Sequence, residues 1–312
     1  MKTNCPNLEN RNRKYQGKSL SSFSSTKAFI RTLFQPYTSA YVLMLVFVVL
    51  KDFFLLQLHQ KLHLTKRPVI NVDTEIDKKI PFSPEHVKTY ISFIDYFIKP
   101  ADMLEKRMGY KYASQYVCLY LKFLSTLYKN SASIYRHCMT TTTRPKYLKT
   151  QRFRAIHFFD PHLLCVPSLH VAISAGVYAW FRQFFQLNIL PQEDAQMYLA
   201  EIKAHAISIV ESVLFVKQHS VNCIPLALYM LTSTMNKSFF SIEDAIEFIE
   251  SLFLNSTEIS PENRKEIIDY FIYMYDRALL ESKYSANWQS CILHWLSDFA
   301  KNTGQNINLC TE

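Results

Sequence analysis

The sequence predicts an all-α protein, a membrane-associated helical bundle with a C-terminal helical extension. Three observations lead there. Only 4 glycines occur in 312 residues, too few for hairpin-rich β architecture or a glycine-rich phosphate loop. Apolar residues recur at helical spacing along most of the chain. A basic leader runs directly into an apolar stretch near the N-terminus, while a mean hydropathy of -0.05 is low for a protein built mainly of membrane spans.

Residues 1–28 are polar and rich in Ser, Asn and Lys, which reads as a mobile leader. Within 1–31, seven cations (Lys2, Arg11, Arg13, Lys14, Lys18, Lys27, Arg31) stand against Glu9 alone, a net +6 of the chain's +9. The apolar run Ser39 to Leu50 follows. By the positive-inside rule this order places the N-terminus in the cytoplasm and the run in a cell or inner membrane. A helix over roughly 37–60 is expected, marginal as a span because Lys51-Asp52 interrupts it and about 20 apolar residues are needed. No small-x-small site follows that would mark a cleaved signal.

Pro68, Asp73, Pro81 and Ser83 make 61–83 a surface connection. Val87, Tyr90, Ile91, Ile94, Phe97 and Ile98 then keep helical spacing until Pro100, where the helix is expected to stop. Ala113, Val117, Tyr120, Leu121, Leu124 and Tyr128 line one face of a helix at 112–136. Thr140 to Thr143 and Arg144-Pro145 form a loop, because Thr resists helix interiors and Pro disfavours helix at the residue before it. Helices at 167–187 and 203–232 follow, separated by Pro191.

Beyond Asn236 the chain turns charged and amphipathic. Ser241-Ile-Glu-Asp244 and Ser260-Pro261-Glu262 are helix starts, giving helices at 241–254, 261–282 and 286–301. The organisation read from this is a basic mobile N-terminus (1–31), a helical bundle (32–235) and a water-facing C-terminal extension (236–312). Seven scattered cysteines with no C-x-x-C pair do not form a secreted disulfide framework. The basic charge lacks the aromatic interleaving or finger spacing of a nucleic-acid binder. His157, Asp160, His162, Cys165 and His170 crowd one stretch but match no zinc spacing, so no metal and no cofactor is expected.

Two segments carry the chemistry: Val166-Pro167-Ser168-Leu169-His170 and Val216-Lys217-Gln218-His219-Ser220-Val221-Asn222-Cys223. Pro167 is suited to the first turn of a helix. The free N–H groups of Ser168, Leu169 and His170, with the helix dipole, then make an anion site, and His170 stands beside the anion as a proton donor. His219, read inside a long apolar helix, shares a face with Asn222 at i+3 and Cys223 at i+4.

A Pro-Ser-x-His motif, a second buried histidine 49 positions on and an upstream Arg-Pro resemble the type-2 phosphatidic acid phosphatase superfamily, which includes the vanadium haloperoxidases. The likeness covers roughly residues 112–230. It implies a bundle of the phosphatidic acid phosphatase type and a metal-independent phosphatase or phosphotransferase. The substrate it implies is a membrane lipid phosphate, turned over through a phosphohistidine. His219 is then the nucleophile, His170 the acid, and Arg144, Ser168 and Leu169 the phosphate binders. The sequence departs from the pattern where an acidic residue should orient His219: Cys223 stands there, with Asn222 beside it as a second candidate. Val213 and His137 replace two further cations. Restoring the acid, as Cys223→Asp, is expected to raise the rate. Two rivals follow from these departures. One is a degenerate member that binds lipid or anion without turnover; the other is a soluble acid-phosphatase-like enzyme on the same fold.

Overall fold

The computed structural model describes residues 8–305; residues 1–7 and 306–312, at either end of the predicted leader and extension, lie outside the described residues. The chain is an all-α helical bundle. α1 (Leu8–Tyr15) and α2 (Ser25–Phe34) precede a continuous helical stretch from Ser39 to Lys61, made of α3 (Ser39–Val49), a π-type turn (Leu50–Phe54) and α4 (Leu55–Lys61). α5 (Val87–Ile91), α6 (Phe93–Met108), α7 (Tyr110–Tyr135) and α8 (Gln151–Phe159) follow. Next come α9 (Leu169–Phe185), α10 (Gln192–Phe215) and α11 (Cys223–Thr234), then α12 (Ile242–Glu250), α13 (Pro261–Ser282) and α14 (Trp288–Asn302). Apolar spacing places α7, α9, α13 and α14 within a few residues of these bounds.

α9 lies at the centre. It is buried along most of its length and packs against α7, α10 and α11, and Gly176 lets Phe123 and Leu127 of α7 approach. A Cβ at Gly176 would sit 2.8 Å from the Phe123 ring, so this glycine permits close helix packing. Two short parallel strands, β1 (Val69–Asn71) and β2 (Met139–Thr141), pair Val69 with Met139 and Asn71 with Thr141. The predicted threonine loop therefore begins as a strand, as expected of β-branched residues facing a buried pleat.

The structure corrects the sequence reading at four places. First, residues 8–31, read as part of a mobile leader over 1–31, are largely helical and tied down. The buried Arg107 guanidinium pairs with Asp194 and donates to the Tyr15 carbonyl at 2.8 Å. Asp194 in turn accepts from Gly17 N at 2.8 Å, and Asp102 accepts from Ser24 N at 2.8 Å. Second, α6 runs through Pro100 to Met108. One helical hydrogen bond is lost, but the residues after it (Ala101, Met103, Leu104) are buried in the core, and the helix ends only at Gly109, where φ is +81°. Third, residues 203–232 are not one helix. α10 ends at Phe215 and a turn over 216–222, with Lys217 at φ +55°, precedes α11. Pro225, in the first turn of α11, cannot donate to a helix continuing from α10 and its ring would clash with the carbonyl four residues back. Fourth, the C-terminal helices are not an appendage. α13 packs along α11, Phe271 and Tyr275 join the core, and Tyr270 Oη donates to Asn222 Oδ1 at 2.6 Å.

Among the described residues, Ser39–Lys61 is one helical stretch long and apolar enough to cross a membrane. Its charge pair is managed unequally: Asp52 turns inward to pair with Arg136, while Lys51 stays exposed. Leu43, Phe47, Leu50, Phe54 and Leu58 present an uncovered apolar face. Phe34 of α2 and Phe158 and Phe159 of α8, the last two 74% and 69% exposed, add to the apolar surface.

Candidate active site

The turn at 216–222 and the start of α9 meet at the bottom of a cavity of about 680 Å³. Thr140 of β2 sets one side of this meeting. Its hydroxyl accepts from the backbone N–H groups of Cys165 (3.0 Å) and Val166 (2.7 Å), fixing the approach to Pro167 and Ser168. Ser168, not Pro167, caps α9. Its hydroxyl faces Val171 N at 3.4 Å, and the helix proper begins at Leu169.

His170 and His219 face each other, with ring centroids 5.4 Å apart and His219 Nε2 3.4 Å from His170 Nδ1. Ser168 Oγ is also 3.4 Å from His219 Nε2. His219 Nδ1 lies 3.3 Å from the Cys165 carbonyl. A carbonyl only accepts, so Nδ1 carries the proton and Nε2 keeps a lone pair toward His170 and Ser168. His170 is held between aromatic rings, stacked on Tyr90 at 4.7 Å and tilted against Phe93 at 4.4 Å.

Both rings are neutral at pH 7. Burial pushes His170 down to about 4. It drives His219 well below the ordinary histidine value, and the neighbouring His170 and His162 push the same way. The site therefore offers an uncharged imidazole lone pair beside a second imidazole that becomes acidic only when something raises its proton affinity.

No protein-family model, curated protein or solved structure matches this chain.

The remaining sequence-selected residues divide. Leu169 lines the cavity with the two histidines. Arg144 stands one residue away from His219 by contact. Its guanidinium donates to Gln218 Oε1 at 3.2 Å and to the Asp160 carbonyl at 3.3 Å, and lies 3.9 Å from the Asp160 carboxylate. Asn222 and Cys223 do not orient His219. The i+4 relation assumed a helix that is not there, and Nδ1 is taken by the Cys165 carbonyl. Asn222 instead donates from Nδ2 to the Val72 carbonyl at 2.9 Å and accepts from Tyr270. Cys223 is a fully buried residue opening α11. Lys217 points away, its ammonium on the carbonyls of Asp77 (2.7 Å) and Ile80 (2.6 Å).

Sequence reasoning missed Tyr90 and Phe93, which clamp His170, and Gln218, which links Arg144 to the histidine turn. It also missed Arg152, the one Arg or Lys among the described residues that lines the cavity. His162 was noticed only as a metal candidate. Its Nε2 lies 2.7 Å from Thr142 Oγ1 and its ring pairs with Asp160. Burial alone would raise the Asp160 carboxyl, but the contacts of His162 and the charge of Arg144 hold it below its usual value. No group of three or more His, Cys, Asp or Glu among the described residues is placed to hold a metal ion.

The cavity is lined chiefly by apolar side chains of α2, α3, α6 and α7. Its lining includes buried His219, Leu164 and Cys165 as well as exposed Leu50, Phe54, Ile94 and Phe159. It thus leads from the histidines to the uncovered apolar surface of the Ser39–Lys61 stretch and α8.

Proposed function

We propose that the protein is a phosphatase or phosphotransferase acting on a lipid phosphate ester through a phosphohistidine on His219. The observation that carries this reading is the pair of facing, neutral imidazoles at the end of an apolar cavity. A phosphate monoester with its acyl portion in the cavity would bring phosphorus to His219 Nε2, whose lone pair attacks while His170 gives a proton to the leaving oxygen. Water, or an alcohol, then takes the phosphoryl group from His219. The resemblance to the type-2 phosphatidic acid phosphatases supports the same assignment and needs no metal in the step.

Two magnitudes bear on this. His170 at about 4 is unprotonated at neutral pH in the free protein. One negative charge about 4 Å away, at an effective dielectric near 20, is worth about 4 kcal/mol, or roughly three pH units. Phosphate binding thus raises the proton affinity of His170 until it titrates near neutral pH, which makes it a usable acid. The 3.4 Å contact between the rings must also open by roughly one hydrogen-bond length to admit phosphorus and its leaving oxygen between them, so anion binding replaces a histidine–histidine bond.

The apolar face of Ser39–Lys61, with Phe158 and Phe159, supports seating on a bilayer from which the substrate enters. The second reading, a protein that binds lipid phosphate without turnover, is favoured by one observation. His219 Nδ1 rests on a neutral carbonyl, which stabilises an imidazolium less than a carboxylate would. Phosphate release from a panel of phospholipids in detergent micelles separates the two. The enzymatic reading expects release that survives chelation and is abolished by His219→Ala. Lipid binding without release by the wild type establishes the second.

A further inference from the structure

We propose that Asp77, in the turn Glu75–Lys79 and some 140 residues before the histidine turn, is the positioning residue that aims His219. The inference rests on the reading of His219 as the nucleophile.

His219 holds itself only loosely. Its backbone N–H reaches the Val213 carbonyl at 3.2 Å, Nδ1 the Cys165 carbonyl at 3.3 Å, and Nε2 its neighbours at 3.4 Å. The residues around it are gripped far more closely, and by one short segment. Asp77 Oδ1 accepts from Val221 N at 2.8 Å, and Asp77 Oδ2 accepts from Ser220 Oγ at 2.7 Å and from Thr74 N at 2.9 Å. The Asp77 carbonyl accepts the Lys217 ammonium at 2.7 Å. Residues two before, one after and two after His219 therefore all land on a single aspartate.

The proton count is consistent. Ser220 Oγ lies 2.8 Å from the Val72 carbonyl as well, but its one proton goes to the Asp77 carboxylate, the stronger acceptor of the two. Three donors on one half-buried carboxyl, with Ser220 fully buried, make the grip costly to release. Gln218 is tied separately to Arg144. With its neighbours fixed, the His219 backbone has no freedom to tilt, and the long contacts of its ring suffice to hold the aim. Burial raises the Asp77 carboxyl above its ordinary value, as expected of a structural rather than solvated acid.

The test uses Asp77→Asn and Ser220→Ala in the full chain. Asp77→Asn keeps the volume but turns an N–H toward the donors; Ser220→Ala removes one contact and stands in should the first variant fail to fold. Two readouts are taken. One is kcat and KM for phosphate release from a lipid phosphate in micelles. The other is the rate of carbethoxylation of His219 by diethylpyrocarbonate, followed by peptide mass spectrometry, with exposed His294 as internal reference. A misplacement near 1 Å costs about 100-fold in rate. Asp77→Asn is thus expected to lower kcat about 10- to 100-fold with KM within about twofold, and to change His219 reactivity at least about threefold with His294 unchanged. Ser220→Ala should shift both in the same direction and less. Unchanged His219 reactivity in both variants overturns the proposal, as does altered reactivity with kcat intact. A wild type that releases no phosphate refutes the phosphatase reading, while His219 reactivity still decides whether Asp77 holds the turn.

Discussion

His170→Phe should remove a pH dependence of stability that the wild type shows between pH 6.5 and 4. In the folded protein burial brings the imidazole to about 4, against about 6.5 unfolded. The unfolded chain therefore binds the extra proton in this window, and stability must fall as pH falls from 6.5 toward 4, then level off below. A shift of about 2.5 pH units at about 1.4 kcal/mol each gives roughly 3.5 kcal/mol. His219 contributes in the same direction. Asp77, Glu105 and Glu211, whose carboxyls burial raises, contribute in the opposite sense, so the measurement is the difference between wild type and variant. Phenylalanine fills the space between Tyr90 and Phe93 without a titrating group. Thermal melts at fixed detergent and half-unit pH steps should show the wild type losing stability faster than His170→Phe, and the two curves parallel above pH 7. Parallel curves throughout would mean that His170 titrates normally, and the argument for a neutral imidazole awaiting its anion would fail.

Three further outcomes are expected. Thr140→Val leaves the buried Val166 N–H without an acceptor and the Cys165 N–H with only the Thr140 carbonyl at 3.3 Å, and should cost roughly 1–3 kcal/mol in chemical unfolding. Cys223→Asp should destabilise rather than accelerate. Its site is fully buried with Asp77 and Asp73 close enough to raise its thiol, a cost on the order of 3–5 kcal/mol against about 1 kcal/mol gained at the start of α11, so a faster and equally stable variant would show that His219 does reach position 223. Phe158→Asp with Phe159→Asp should lower binding to anionic phospholipid vesicles at least about 10-fold in a flotation assay, since each exposed ring is worth about 1.5–3 kcal/mol when buried in lipid; unchanged flotation would remove α8 from the membrane face.

Much of the helical architecture was legible because apolar spacing and caps agree locally. α7 and α13 are examples, the latter opening at Ser260-Pro261 as its sequence announces. The meeting of His170 with His219 was legible as a motif, not as geometry. What failed had physical causes. Apolar periodicity runs unbroken from Ile209 to Leu231, hiding the turn at 216–222, and only Pro225 signalled it. That error carried the orienting role to Cys223 and Asn222. The N-terminal helices looked like solvated leader because their order comes from distant partners, Arg107, Asp102 and Asp194, none of which local composition reveals. Asp77 was invisible for the same reason: its 144-residue separation from Val221 is closed only by the folded chain.

The central claim is chemical, that phosphorus is passed to His219. Full-length protein incubated briefly with a lipid phosphate, quenched in alkali to preserve phosphohistidine and digested, can be mapped by mass spectrometry. The account predicts phosphate on the peptide carrying His219, accumulating further in His170→Phe when the leaving group is good enough to depart unassisted, and absent in His219→Ala. Phosphate release at wild-type rates from His219→Ala, or turnover with no phosphorylated His219 under any quench, would contradict it.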